Sequence, residues 1–440
     1  MTATEAPARP RSSLQQVVLA SLIGTTIEWY DFFLYGTAAA LVFGPLFFPK
    51  SDPLTGILQA FLTYSLGFVA RPIGGIVFGH FGDRIGRKRL LMASLVLMGV
   101  ASAAMGLLPT YSQVGVWAPI ALAALRFVQG FAVGGEWGGA VLMSGEFGDA
   151  AHRGTWAGWP QVGVPAGNLL AAGVLATMAA VLPSKDFLGW GWRVAFLLSA
   201  LLVGIGWWVR STLSESPLFE AAEAKAAHEH ELAPALQALK HRPGGIAVGA
   251  GLKLGENTCY YVIATFSIAY LGETLKAPRQ LGLNALLIGS FAEMLTLPLF
   301  SALSDRIGRR PVYAFGAIGM AIWMFVFFGL LREMSPLAII AAMTVGLVLH
   351  GAMYGPQAAF ISELFPTRYR YSGSSISYQV TSIFAGSLAP VIAIALLQWT
   401  HATGAISLYV AGACGVSALA AFVARETKGL SFAEIDARGA

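Results

Sequence analysis

Long apolar stretches alternate with short polar ones along the whole chain. Twelve apolar runs fall at about 17–46, 54–78, 90–108, 117–145, 154–182, 190–210, 243–272, 280–303, 311–331, 336–363, 372–398 and 403–424. About 20 apolar residues suffice for an α-helix to cross the hydrocarbon of a bilayer, and each run is near or beyond that length. The polar stretches between them are short except at 211–242. That linker holds Glu215-Ser216-Pro217 and then a polar helical pattern from Phe219 to Glu231. The pattern predicts an all-α integral membrane protein. Its parts are a tail 1–16, a six-helix bundle 17–210, the linker 211–242, a second six-helix bundle 243–424 and a tail 425–440.

Composition agrees. Hydrophobic residues make up 56% of the 440 and charged residues 12%, against roughly 25% charged in soluble domains. Cys259 and Cys414 are the only cysteines, and both lie in apolar runs, so no disulfide framework is available. The first run is too long for a signal-peptide core and is read as a retained helix. With the N-terminus inside, 19 of the 28 lysines and arginines fall in cytoplasmic segments, six in external segments and three inside helices. Basic residues favour the cytoplasmic side, so both termini, the linker and both tails are expected there. The formal charge of +5 therefore follows membrane topology, and no nucleic-acid surface is expected.

One polar stretch occurs twice. Gly79-His80-Phe81-Gly82-Asp83-Arg84-Ile85-Gly86-Arg87-Lys88-Arg89 has a near-copy at Ser301-Ala302-Leu303-Ser304-Asp305-Arg306-Ile307-Gly308-Arg309-Arg310. Asp83 and Asp305 are 222 residues apart, about half the chain, so the two halves read as a duplication. Parallel repeats of that kind point to a transporter with its site between the halves. Gly79, Gly82 and Gly86 read as a loop that lets two helix ends approach. Asp83 can accept from a neighbouring helix N-terminus and pair with an arginine. Gly79, Asp83, Arg84, Gly86 and Arg87, with Asp305 and Arg306, are therefore the candidate gate, a clamp made in one conformation and released in another. The blander alternative is a plain basic loop with turn glycines.

Gly-x3-Asp-Arg-x-Gly-Arg-Lys/Arg resembles the signature loop of the major facilitator superfamily. The second copy departs from it with Ser301 where the first has Gly79, which suggests a looser second gate. Ile27-Glu28-Trp29-Tyr30-Asp31-Phe32-Phe33-Leu34-Tyr35-Gly36 resembles the first-helix signature of the metabolite–proton symporter family. So do Arg71-Pro72-Ile73-Gly74-Gly75, Arg126-Phe127-Val128-Gln129-Gly130 and Glu363-Leu364-Phe365-Pro366-Thr367-Arg368. Gly134-Gly135-Glu136-Trp137-Gly138-Gly139 is most similar to the shikimate-transporting group. The resemblance implies proton-coupled symport of a small organic acid by alternating access, as a monomer in a bacterial-type inner membrane. It implies no cofactor other than coupling protons and no metal. It leaves open a zwitterion such as proline or betaine, and a uniporter or exchanger of a dicarboxylate.

Charges inside a bilayer cost at least ~2.5–3.5 kcal/mol each and mark function or buried pairs. Eight lie within the runs and away from their ends: Glu28, Asp31, Arg71, Arg126, Glu136, Lys253, Glu256 and Glu293. Glu28 and Asp31 are three apart and share a helix face. By the resemblance, Asp31 pairs with Arg126. Asp31, Glu28, Arg126 and Glu136 are the candidate proton-coupling set; a static ion pair is the alternative. Lys253, Glu256 and Asn257 sit at i, i+3 and i+4, as a Lys–Glu pair needs. Lys253 could meet a substrate carboxylate, or the pair could satisfy only itself.

Arg126, Tyr354, Gln357, Tyr378 and Gln379 complete a polar, aromatic lining suited to a hydroxylated or ring-bearing solute. Tyr30, Tyr35, Gln129, Trp137 and Gln161 are the further substrate-binding candidates. Gly154-x3-Gly158 and Gly163-x3-Gly167 read as close packing, with Pro160 and Pro165 bending that helix. His350 is deep in a run without an evident ligand partner, so no metal site is expected. An enzyme would need a nucleophile with a base, or a metal cluster, at membrane depth. Neither is present, and the linker leaves no room for a signalling domain.

Overall fold

The computed structural model describes residues 14–85, 87–134, 149–212 and 234–437. Among them, nine helical stretches are long and apolar enough to cross a membrane, and Met92–Leu107 and Trp117–Val133 are shorter apolar helices. The helices are α1 (Leu14–Ala38), α2 (Pro53–Ile85), α3 (Arg87–Leu107), α4 (Trp117–Val133), α5 (Ala150–Val181) and α6 (Trp192–Thr212). In the second half come α7 (Pro243–Tyr261), α8 (Arg279–Ile307), α9 (Arg309–Arg332) and α10 (Pro336–Ser362). α11 (Thr367–Thr381) runs on through a π-turn into Ala389–Thr400, and α12 is Gly404–Val423.

Where their residues are described, the twelve apolar runs fall on helix; 135–145 of the fourth run lie outside the described residues. The repeated charged stretch does not form loops. α2 continues through Gly79 and Asp83 to Ile85, and α3 begins at Arg87. In the second copy α8 runs to Ile307 and α9 starts at Arg309. Only Gly308, at φ +112°, breaks the helix there, a conformation glycine alone adopts at no steric cost. Hydropathy marks where lipid ends, and the helices persist beyond it as far as Ile85 and Ile307.

The two halves repeat each other in packing. α1 packs on α5 as α7 packs on α11, α2 on α4 as α8 on α10, and α3 on α6 as α9 on α12. A π-turn follows α1 at Ala39–Phe43 and another follows α7 at Val262–Phe266, at equivalent places in the two halves. Across the halves α5 lies on α8 and α10, and α2 lies on α11. α5 is interrupted at Val162, between Arg153–Gln161 and Gly163–Val181. Pro165 has no N–H to give to Gln161, and Pro160 lies one turn before, as proline-driven breaks require.

Close approaches depend on glycine. A Cβ at Gly130 would stand 1.9 Å from the Gly67 carbonyl oxygen, and one at Gly74 would stand 1.8 Å from that of Phe131. Gly163 and Gly167 lie against Thr25, Thr26 and Tyr30 of α1, whereas Gly154 and Gly158 lie against Asp305 and Ser301 of α8. The first of these glycine pairs packs one half, and the second joins the halves. Gly130→Val must push α2 and α4 apart, at a cost of about 1–3 kcal/mol or more. Thermal unfolding in detergent should show a clearly lower Tm for it, and almost none for Gly412→Ala, where a Cβ meets nothing within 4 Å. Equal Tm values for Gly130→Val and the unsubstituted protein would contradict the α2–α4 contact.

Candidate functional site

Three polar clusters stand inside the bundle. The first belongs to the N-terminal half. Arg126 on α4 donates from Nε to the Tyr64 carbonyl at 3.2 Å and from Nη1 to Gln129 Oε1. Gln129 Nε2 donates to Ser102 Oγ at 2.6 Å and to the Asp31 carbonyl at 3.4 Å. The Arg126 guanidinium lies 4.2 Å from the Phe32 ring centroid, 4.4 Å from that of Tyr64 and 4.6 Å from that of Tyr35. Arg71 lies on the Phe32 ring as well, at 4.4 Å, and on Phe68 at 5.0 Å. Desolvated cation–π contacts are worth about 2 kcal/mol each, which offsets part of the cost of burying two cations. Neither guanidinium is fully satisfied. Arg126 Nη2 and Arg71 Nε and Nη2 have no hydrogen-bond partner among the described residues.

The expected Asp31–Arg126 ion pair is absent among the described residues. Asp31 Oδ1 instead accepts from Ser199 Oγ of α6, and Oδ2 has no partner there. The Asp31 carboxylate is thus tied to α6 through Ser199, and the Arg126 guanidinium to Tyr64 of α2 and to Gln129. Glu28 is buried one turn before Asp31. Tyr30 donates to the Ala195 carbonyl at 2.6 Å and Tyr35 pairs with Thr63 at 2.6 Å. Both hydroxyls therefore serve packing within the half. Glu136 and Trp137 lie outside the described residues.

The second cluster belongs to the C-terminal half. Lys253 Nζ meets Glu256 Oε2 at 2.6 Å, as the spacing suggests, and Gln357 Oε1 at 3.4 Å. Its ammonium lies 4.0 Å from the Tyr378 ring centroid and 5.1 Å from that of Tyr354. Gln357 Nε2 donates to Glu256 Oε2 at 3.2 Å. His350 has close partners, contrary to expectation. Nδ1 is 2.5 Å from Glu293 Oε1 and Nε2 is 2.8 Å from Glu256 Oε1. Sequence spacing could not reveal this, because the three residues sit on α7, α8 and α10. Three buried polar groups on three separate runs were the available signal. Asn257 Nδ2, Gln161 Nε2 and Gln379 Oε1 are buried atoms with no hydrogen-bond partner among the described residues.

Aromatic rings fill the space between these clusters. Phe33 of α1 lies 5.2 Å from Tyr260 and 6.3 Å from Tyr261, and Phe68 of α2 lies 5.6 Å from Tyr261. Asn168 of α5 reaches across to the Tyr260 hydroxyl at 3.0 Å and to Ser290 Oγ at 3.2 Å. A cleft of about 220 Å³ opens between the halves away from the repeated stretch, beside Leu41, Ser184, Glu273 and Arg279.

The third cluster closes the other end. Asp305 accepts from the Gly154 and Thr155 amides at 2.8 Å each, from Thr155 Oγ1 at 2.7 Å and from Arg309 Nη1 at 2.5 Å. A carboxylate thus caps the N-terminus of Arg153–Gln161 from the opposite half, where the helix dipole favours it. Glu363 receives Arg153 at 3.0 Å, Arg309 at 3.3 Å and Thr427 Oγ1 at 2.5 Å. Arg306 is exposed, and Arg309 takes the place expected of it. Ser301 does not hold the halves apart, because Gly158 faces it; a Cβ at Gly158 would stand 2.2 Å from Ser301 Oγ. In the first copy, the side chains of Gly79, Asp83, Arg84 and Arg87 and the whole of Gly86 lie outside the described residues.

Comparison with known proteins agrees with this architecture. The sequence profile of the family described as sugar (and other) transporter matches residues 17–233 and again 220–438. A shikimate transporter of Escherichia coli K12 is 39% identical over 420 residues, covering 95% of this chain and 96% of that protein. YhjE, an inner membrane metabolite transport protein of the same strain, is 40% identical over 426 residues, with coverage of 95% and 96%. A proline/betaine transporter of Salmonella typhimurium LT2 is 32% identical over 395 residues, with coverage of 88% and 78%. Among solved structures, the major facilitator superfamily proton:xylose symporter XylE, bound to 6-bromo-6-deoxy-D-glucose, superposes with a TM-score of 0.74. It is 18% identical and covers 97% of this chain and 98% of that one, a likeness of fold. The chain belongs to the sugar (and other) transporter family and is a multi-pass membrane transporter of metabolites with the major facilitator fold.

Proposed function

We propose that the protein is a proton-coupled symporter of a small organic acid, working by alternating access in an inner membrane. The carrying observation is the pair of buried guanidiniums, Arg71 and Arg126, on the Phe32 ring. Buried charges of one sign ordinarily have a counter-charge beside them. Here three guanidinium nitrogens lack a hydrogen-bond partner among the described residues. A substrate carboxylate supplies that counter-charge. Lys253, expected to meet the acid, already has Glu256 at 2.6 Å and is assigned to positioning Gln357 and Tyr378. The tyrosines and Phe68 around the guanidiniums suit a ring-bearing or hydroxylated solute, in keeping with the shikimate transporter among the relatives. Asp31, with one oxygen unpartnered among the described residues, is the coupling carboxylate in the N-terminal half, with buried Glu28 beside it.

The closed end follows the basic residues, so it faces the cytoplasm on the positive-inside rule. Its opening requires Asp305 to leave the Gly154–Thr155 amides and Glu363 to leave Arg153. These contacts are the gate, and α5 and α8 are the helices that part.

Two tests address this reading. In proteoliposomes, uptake should be compared for shikimate, dicarboxylates, proline and betaine under an imposed pH gradient. Arg71→Gln and Arg126→Gln should each weaken shikimate binding by about 10- to 100-fold, since a hydrogen bond to a charged group contributes about 1.5–3 kcal/mol. Binding of the corresponding amide should change far less; equal losses for acid and amide would show that both arginines are structural. For the gate, Asp305→Asn should change the shikimate transport rate several-fold while Kd stays within about two-fold, because the lock is remote from the guanidiniums. An unaltered rate would remove Asp305 from the gate.

A further inference from the structure

We propose that Glu293, His350 and Glu256 form a second proton-binding site, in the C-terminal half, that holds one exchangeable proton during transport. The inference rests on the reading of the protein as a proton symporter and gives that reading a site separate from Asp31.

Hydrogen-bond parity carries the argument. His350 Nδ1 faces Glu293 Oε1 at 2.5 Å, and Nε2 faces Glu256 Oε1 at 2.8 Å. All three side chains are buried. Ionised carboxylate oxygens only accept, and a neutral imidazole has a single N–H donor. With both acids ionised and the ring neutral, one contact would set lone pair against lone pair. The observed arrangement therefore needs one proton more than the fully deprotonated cluster. That proton sits on the ring, making an imidazolium, or on Glu293 or Glu256. Lys253 on the other oxygen of Glu256 then brings the four groups to a net charge of zero. Removing the proton leaves a buried net charge of −1 and a repulsive contact.

The charged groups around His350 are Lys253 and Glu256 on α7 and Glu293 on α8. Tyr260 and Tyr354 cover the ring, with centroids at 4.7 and 5.3 Å. Tyr313 donates to the Leu252 carbonyl behind α7, Tyr378 covers Lys253, and the thiols of Cys259 and Cys414 bond to α7 carbonyls. Of these side chains only an imidazole ordinarily changes charge near neutral pH, and the two carboxylates share its hydrogen bonds. The two ring nitrogens face different acids, so the groups are strung in line and do not converge as ligands of one cation would.

The position suits coupling. Glu293 and Asp305 lie on the same helix, α8, and Tyr260 above the ring is held from the other half by Asn168. Loss of the proton loosens α8 from α10 at Glu293–His350, and α8 carries the lock. Proton occupancy and gate closure thereby share one rigid element.

The test uses the full chain in proteoliposomes with shikimate as probe and the membrane potential clamped at zero. Two quantities are measured: accumulation driven by a pH gradient, and exchange of labelled for unlabelled shikimate at equal pH. Glu293→Gln, which keeps the shape of the protonated acid, and His350→Gln should both lose accumulation and retain exchange. Unchanged accumulation in both variants overturns the site, as does a parallel loss of accumulation and exchange in variants that bind shikimate normally. Infrared difference spectra of the unsubstituted protein across pH provide a measurement free of folding defects in variants. They should show a carboxylic acid or imidazolium band that titrates, and whose isotope-labelled histidine component responds. The absence of any titrating glutamate or histidine band overturns the site. If the unsubstituted protein exchanges shikimate but shows no response to a pH gradient, the symport reading fails first.

Discussion

Hydrocarbon offers no water to a buried charge, and that constraint organises the interior of this transporter. Each charged side chain inside the bundle must be neutralised, hydrogen-bonded or set against aromatic faces. The two halves meet it in opposite ways. The N-terminal half places Arg71 and Arg126 on the ring of Phe32. The C-terminal half places two acids, a lysine and a histidine in mutual contact. Between them lies a layer of Phe33, Phe68, Tyr260 and Tyr261. A self-sufficient cluster thus faces one whose guanidiniums keep donors without a partner among the described residues.

The link between that centre and the closed end is α8. Glu293 and Asp305 are twelve residues apart on it, about 18 Å along an α-helix. Asp305 ties α8 to the N-terminus of Arg153–Gln161, and Gly154 and Gly158 allow the helices to come that close. The glycine repeats of α5 therefore divide their work. Gly163 and Gly167 pack α5 on α1 within one half, while Gly154 and Gly158 pack it on α8 of the other, at the contact proposed as the gate. The break at Val162, between the two pairs, lets the two pieces of α5 differ in direction.

Much of this was legible in the chain. The apolar runs located the long membrane-spanning helices among the described residues, since hydrophobic length is dictated by the bilayer, and missed the short helices Pro234–His241 and Phe432–Ala437. The duplicated charged stretch revealed the two halves, and the i, i+3 spacing of Lys253 and Glu256 predicted their ion pair. What failed was pairing across helices. Spacing constrains neighbours on one helix and says nothing about which faces meet. In place of the expected Asp31–Arg126 pair, Ser199 of α6 meets the carboxylate and Gln129 of α4 meets the guanidinium. The acids that meet His350 lie 57 and 94 residues away in the chain, so spacing gives no sign of them. Arg306 and Arg309 differ by three residues, and only the helix break at Gly308 decides which turns toward Asp305. The charged stretch was read as a loop because polarity was taken for irregularity.

The asymmetry of the halves also bears on the order of events. On the proposed function, an anion entering beside Arg71 and Arg126 meets guanidinium donors that have no hydrogen-bond partner among the described residues, so its binding favours the closing of the aromatic layer around it. The C-terminal cluster is complete only when it holds its proton, and then it offers no net charge to attract or repel that anion. Deprotonated, it would present a negative charge across the layer from the bound acid. Two like charges in a dry interior repel strongly, so on the proposed symport acid and proton stabilise the same occluded state and destabilise it singly. Cooperative loading of this kind is what a symporter requires, because a carrier that closes around only one of its two passengers leaks the gradient of the other.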